Sequence, residues 1–138
     1  MTPTLHAAEA YRRTAVQSAS PMQLVVMLYD GALRFLTEAR DADAAGNIRA
    51  RAESVAKALA IVCECQSTLN MDKGGKVARD LDRLYTYMVT RLLDVGLKRD
   101  ASAITEVHKL MTTLREAWSQ AAVQTPQPVA GQPVAVAR

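Results

Sequence analysis

The chain has 138 residues, enough for one domain with a core of its own and no need of a disulfide or metal staple. Its 17 basic and 14 acidic residues are interleaved and leave a net charge of only +3, which excludes the dense one-sided basic patch of a nucleic-acid binder. Aromatic residues make up 4% of a chain that is 49% hydrophobic, and the surplus of Ala, Leu and Val favours helix over strand.

Residues 1–15 include Tyr11 in one apolar-leaning stretch without strong periodicity, and they are read as a mobile arm or a short docked helix. They hold no apolar run behind a basic start, so no secretory signal is expected. The first clear helix opens at Ser20-Pro21-Met22-Gln23, where Ser20 and Gln23 have capping-box spacing and Pro21 suits the first helical position. It is expected to run to about Ala45 and to stop at Gly46-Asn47. Between Leu24 and Leu36 only Asp30 and Arg34 carry charge. The run falls short of the roughly 18 apolar residues of a membrane span, so stable membrane insertion is not expected. Asp30 and Arg34 have the i, i+4 spacing of a surface ion pair.

The second helix carries Ile48, Ala52, Val55, Leu59, Val62, Gln66 and Leu69 along one seam and ends near Asn70, before the turn at Gly74-Gly75. The third repeats the seam with Val77, Leu81, Leu84, Met88, Leu92 and Val95 and ends around Arg99-Asp100. The fourth places Ile104, Val107, Met111, Leu114 and Trp118 on one side. After Ala122 the sequence turns to QTPQPVAGQPVAVAR, a Pro-rich composition read as a disordered tail. Four helices joined by short turns predict an all-α fold, an antiparallel up-down four-helix bundle. The expected organisation is an arm at 1–15, a bundle at 16–123 and a tail at 124–138.

No catalytic constellation is found, and no cofactor or metal is expected. Glu106-Val107-His108 lacks the Glu-x-x-His spacing of di-iron bundles, and Gly74-Gly75-Lys76 lacks that of a phosphate loop. Cys63 and Cys65 sit about 200° apart on a helix, so they are read as reduced thiols of a cytoplasmic protein. An enzyme that uses one of these thiols is the remotest reading, and binding is the expected work of the chain.

The first helix carries more apolar surface than one core needs. On a helical wheel its apolar arc runs from Gly31 and Leu24 through Phe35, Leu28, Ala32, Val25, Leu36 and Tyr29 to Leu33 and Val26, roughly 220°. A bundle helix uses roughly 100° to 140°, which leaves about 80° over. In the third helix Tyr85, Tyr87, Val89, Leu93 and Leu97 also lie partly off the core seam. Surplus of this kind needs a cover: the arm, a second copy, or a client helix lying in a groove. Val26, Tyr29, Leu33 and Leu36, with Leu93 and Leu97, are the candidate partner-binding residues.

Four blocks in order carry a resemblance. They are Ser18-Ala19-Ser20-Pro21 leading to Met27-Leu28-Tyr29-Asp30-Gly31-Ala32, then Gly74-Gly75-Lys76-Val77-Ala78, then Leu84-Tyr85-Thr86-Tyr87-Met88, then Ile104-Thr105-Glu106-Val107 continuing to Leu114-Arg115-Glu116-Ala117-Trp118. Together they resemble the flagellar secretion chaperone family, the flagellin chaperones FliS, over roughly residues 10 to 120. The resemblance implies a non-enzymatic bundle that binds the C-terminal segment of flagellin in the cytoplasm. It implies that the client is held unpolymerised and delivered to the flagellar type III export gate, with other flagellar regulators as further partners. It also makes Tyr11, which matches the family's arm tyrosine, a candidate contact. The competing expectation is a helical adaptor or homodimer that binds another regulatory helix through the same spare face.

Overall fold

The computed structural model describes residues 20–124 together with the isolated positions Ala7 and Ala10. Tyr11 and the Pro-rich sequence after Gln124 fall outside the described residues, and of the expected arm only Ala7 and Ala10 are described. Over residues 20–124 four helices follow in order: α1 (Pro21–Ala44), α2 (Ile48–Ser67), α3 (Gly75–Leu97) and α4 (Ser102–Gln124). No strand occurs among the described residues, and the fold is an all-α bundle.

Local chemistry sets the helix ends. Ser20 accepts from the Gln23 backbone at 3.2 Å, and the Gln23 side chain accepts from the Ser20 backbone at 2.8 Å, so the capping box closes reciprocally. At the other end of α1, Gly46 takes φ 72, the Gly46 N–H donates to Asp43 and the Asn47 N–H to Ala42. This paired closure satisfies two carbonyls that the helix end leaves free. The Asn47 side chain then accepts from the Ala50 backbone at 3.0 Å and caps α2. Between α3 and α4, Arg99 adopts φ 52, the left-handed position more often given to glycine.

Short connections make sequential helices neighbours, and α1 and α3 lie on one diagonal of the bundle, α2 and α4 on the other. The backbone of α1 runs close to both α2 and α4, whereas α3 stands further from each. Small residues explain the difference. Gly31 faces Ile61 so closely that a Cβ would come within 3.2 Å of its Cδ1, and Ala32, Ala39, Ala58 and Ala103 are fully buried. The core between the diagonals holds Tyr29, Leu36, Val62, Met88, Leu92, Ile104, Val107 and Met111, all sealed from solvent.

This packing corrects two expectations on α1. Tyr29 and Leu36 are each 0% exposed and belong to the core, not to an open groove. A wheel counts apolar residues but not how near the neighbours come, and close approach by α2 and α4 covers most of the arc. Asp30 also differs from expectation. Its carboxylate accepts from Arg115 on α4 at 2.7 and 3.4 Å, while the Arg34 guanidinium lies 4.8 Å from the centre of the Phe35 ring. A forked guanidinium from the facing helix matches both carboxylate oxygens, which an i, i+4 neighbour does less well.

Candidate functional site

Because α3 stands off from α2, the space between them opens as a trough of about 450 Å3. Ala52, Val55, Ala56 and Leu59 form its α2 wall, and Leu92, Leu93, Val95, Gly96 and Leu97 its α3 wall. Leu93 is 48% and Leu97 80% exposed, so two large apolar side chains stand at its lip in water. Arg51 is the one charged residue in the lining, and it is paired with Asp43 at 2.9 Å. The α2 wall, from Arg51 to Leu59, covers about 12 Å of helix axis, which is about two turns.

Among the described residues, further apolar depressions lie around the opposite end of the bundle, of which three stand out. A cleft of about 240 Å3 lies among Pro21, Leu24, Val25 and Leu28 of α1, Cys65 and Leu69 near the end of α2, Tyr85 and Trp118. A second, of about 340 Å3, runs between Val77 and Leu81 of α3 and Leu114, Ala117 and Ala121 of α4. The third, of about 310 Å3, joins Val26 and Met27 of α1 to Ala122 and Val123 of α4.

The candidate residues therefore separate. Leu93 and Leu97 share the α2–α3 trough, and Val26 lies some distance away in the α1–α4 depression. Leu33 is half-buried against the core. Tyr29 and Leu36 lie inside, and Tyr11 lies outside the described residues. Sequence reading missed the exposed Val77 and Met71, at 57% and 45%, whereas Tyr87, expected off the seam, is 44% exposed and Tyr85, expected there too, is buried at 1%. Val77 sat on the core seam by spacing, and only the wide separation of α3 from its neighbours leaves it in solvent.

Beneath the cleft, the hydroxyls of Tyr29 and Tyr85 are 2.5 Å apart, with ring centroids at 6.5 Å. Burial pushes the Tyr29 phenol up to about 12, against a smaller opposing effect of its bond to Tyr85. Burial raises Tyr85 as well and brings the Cys65 thiol to about 12. A thiol held so firmly protonated is a poor nucleophile. Cys63 is exposed, and both cysteines are free. His108 is half-buried, with its Nε2 3.4 Å from Thr37 Oγ1, and burial together with the Arg40 charge lowers its pKa. Among the described residues no cluster of three or more His, Cys, Asp or Glu side chains is placed to hold a metal ion. No helix among them is long and apolar enough to cross a membrane. What the surface offers is apolar grooves.

The family model of the flagellar protein FliS matches residues 4–125. The flagellar secretion chaperone FliS of Salmonella typhimurium is 44% identical over 108 residues, covering 78% of this chain and 80% of its own. That of Vibrio cholerae is 34% identical over 116 residues, with 81% and 85% covered. That of Bacillus subtilis is 33% identical over 112 residues, with 81% and 83% covered. With the matched segment spanning all four helices and the grooves between them, the chain belongs to the FliS family of flagellar secretion chaperones.

Proposed function

We propose that this chain is the cytoplasmic export chaperone of flagellin. It holds the disordered C-terminal segment of flagellin along its apolar grooves, prevents premature polymerisation and hands the client to the flagellar export gate. The observation that carries this reading is the α2–α3 trough, an open apolar channel with Leu93 and Leu97 at its lip. An amphipathic helix can lay its apolar face there. The trough takes only about two turns, so the rest of a longer client must run on into other depressions. A segment that folds as it wraps can bury roughly 1,000–3,000 Å2, enough to offset the cost of ordering it. Val26, at the α1–α4 depression, belongs to that extended path.

The test is co-purification with flagellin, full length and lacking its last ~40 residues, a length that suits a wrapped helix-in-groove client. Retention of the full-length form alone supports the reading. Equal binding of both forms, or of neither, sinks it. Dimerisation through the trough, seen as a concentration-dependent mass in sedimentation, would favour the adaptor or homodimer instead.

A further inference from the structure

The last turns of α3 have two opposed faces. Leu93, Gly96 and Leu97 line the trough, while Arg91, Asp94 and Lys98 lie about 140° around the helix. On that second face, Arg91 uses all three guanidinium nitrogens. Its Nε donates to Glu106 of α4 at 2.6 Å, one terminal nitrogen to Asp94 at 2.9 Å and the other to Asp100 of the α3–α4 turn at 3.1 Å. The carboxylates are themselves held: Tyr87 donates to Glu106 at 2.5 Å, and both the backbone N–H and the hydroxyl of Ser102 donate to Asp100. Arg91 is 19% exposed and Asp94 is buried, so water competes poorly for the bond between them, while Asp100 and Glu106 are 37% and 39% exposed.

Nothing comparable ties this stretch to α2. Among the described residues, the polar links between α2 and α3 come from Gln66, to Asp82 and Thr86, near the other end of the bundle. The end of α3 is thus tied to α4 by polar bonds and to α2 by apolar packing alone, although apolar walls facing across a trough gain by closing over each other. We propose that Arg91 is a positioning residue that holds the C-terminal turns of α3 against α4 and so keeps the α2–α3 trough open for a client helix. This rests on the chaperone reading for its biological use, but not for its geometry.

Two readouts separate the two. In the unliganded protein, spin labels at Glu53→Cys and Leu97→Cys in a Cys63→Ser background report the width of the trough. With Arg91 intact the distance distribution is narrow, and Arg91→Ala shortens and broadens it, with Arg91→Lys between. An unchanged distribution overturns the proposal whether or not any client binds. The affinity for a peptide of the last ~40 residues of flagellin is then measured at a temperature where every variant is fully folded. Arg91→Ala lowers it roughly 3- to 30-fold, the range for residues that act on a site without touching the ligand. Arg115→Ala, which removes the Asp30 pair far from the trough, leaves it unchanged. Equal affinity in Arg91→Ala and the parent overturns the proposal. Failure of the parent itself to bind removes the chaperone reading instead and leaves the distance measurement to decide on Arg91.

Discussion

Tyr29 on α1 and Tyr85 on α3 join their hydroxyls at 2.5 Å across the diagonal of the bundle, between helices that are not neighbours. Neither side chain is open to water, so each phenol depends on the other for its polar contact. Removing one partner leaves a buried donor or acceptor unmet. Tyr29→Phe should therefore destabilise the bundle by about 1–3 kcal/mol. Tyr29→Phe with Tyr85→Phe should cost less than the sum of the two single changes, because no orphan remains. Urea unfolding of the four proteins gives the cycle, and strict additivity would show that the pair is not energetically coupled.

The same burial predicts an alkaline limit. The Tyr29 phenol titrates near 10.0 when unfolded and at about 12 in the bundle, so between these values the native state binds more protons than the unfolded state. Stability is then intact below pH 10 and falls as pH rises through 12. Cys65, which moves from 9.0 to about 12, adds a decline that begins one unit lower. Unfolding free energies measured from pH 8 to 12 should fall over this window. The fall should be shallower in the double Phe variant, and replacing Cys65 with Ala should remove its earliest part. A flat profile would contradict the sealed core.

Core and groove can be separated by paired substitutions. Leu36 is fully enclosed, and Leu36→Ala should cost about 2–5 kcal/mol in the melt. Leu97, at 80% exposed, offers water almost its whole side chain. Leu97→Asp should change stability by no more than about 0.5 kcal/mol. It should weaken binding of the flagellin tail at least about ten-fold if Leu97 acts as a groove anchor. Circular dichroism melting and calorimetric titration on the same preparations would check both. A Leu97→Asp variant that binds normally would remove the α2–α3 trough from the client path.

What the sequence disclosed follows the range of the interaction. The capping box at Ser20 and Gln23, the stop at Gly46-Asn47 and most of the four seams were legible, because each depends on residues within a few positions of one another, although Ile48 and Val77 stand exposed at the helix starts. Partners across helices were not. Asp30 had Arg34 at a suitable spacing, yet it pairs with Arg115, 85 positions away. Of the partners of Arg91 only Asp94 stands at a local i, i+3 spacing, whereas Asp100 and Glu106 converge on it from the turn and from α4. The spare apolar surface was assigned mainly to α1, where Tyr29 and Leu36 are in fact enclosed. Its placement depends on helix separation, and Gly31, Ala32 and Ala39 draw α1 inward while α3 stays apart.

Two glycines test opposite sides of the backbone account. Gly46 has φ 72 with nothing within 4 Å of where a methyl group would sit, so Gly46→Ala meets no clash and registers only the left-handed strain, about 1–2 kcal/mol of lost stability. Gly96 also has open space around it but lies inside α3, where glycine wastes conformational entropy. Gly96→Ala should therefore raise stability by about 0.4–1 kcal/mol. Because Gly96 lines the trough, a bulky residue there acts differently. Gly96→Trp should keep the bundle folded and block the client helix. Chemical unfolding of the two alanine variants and binding by the tryptophan variant check this, and a Gly96→Trp protein with full affinity would place the client elsewhere. The opposite signs at Gly46 and Gly96 arise from φ alone, since neither position is crowded.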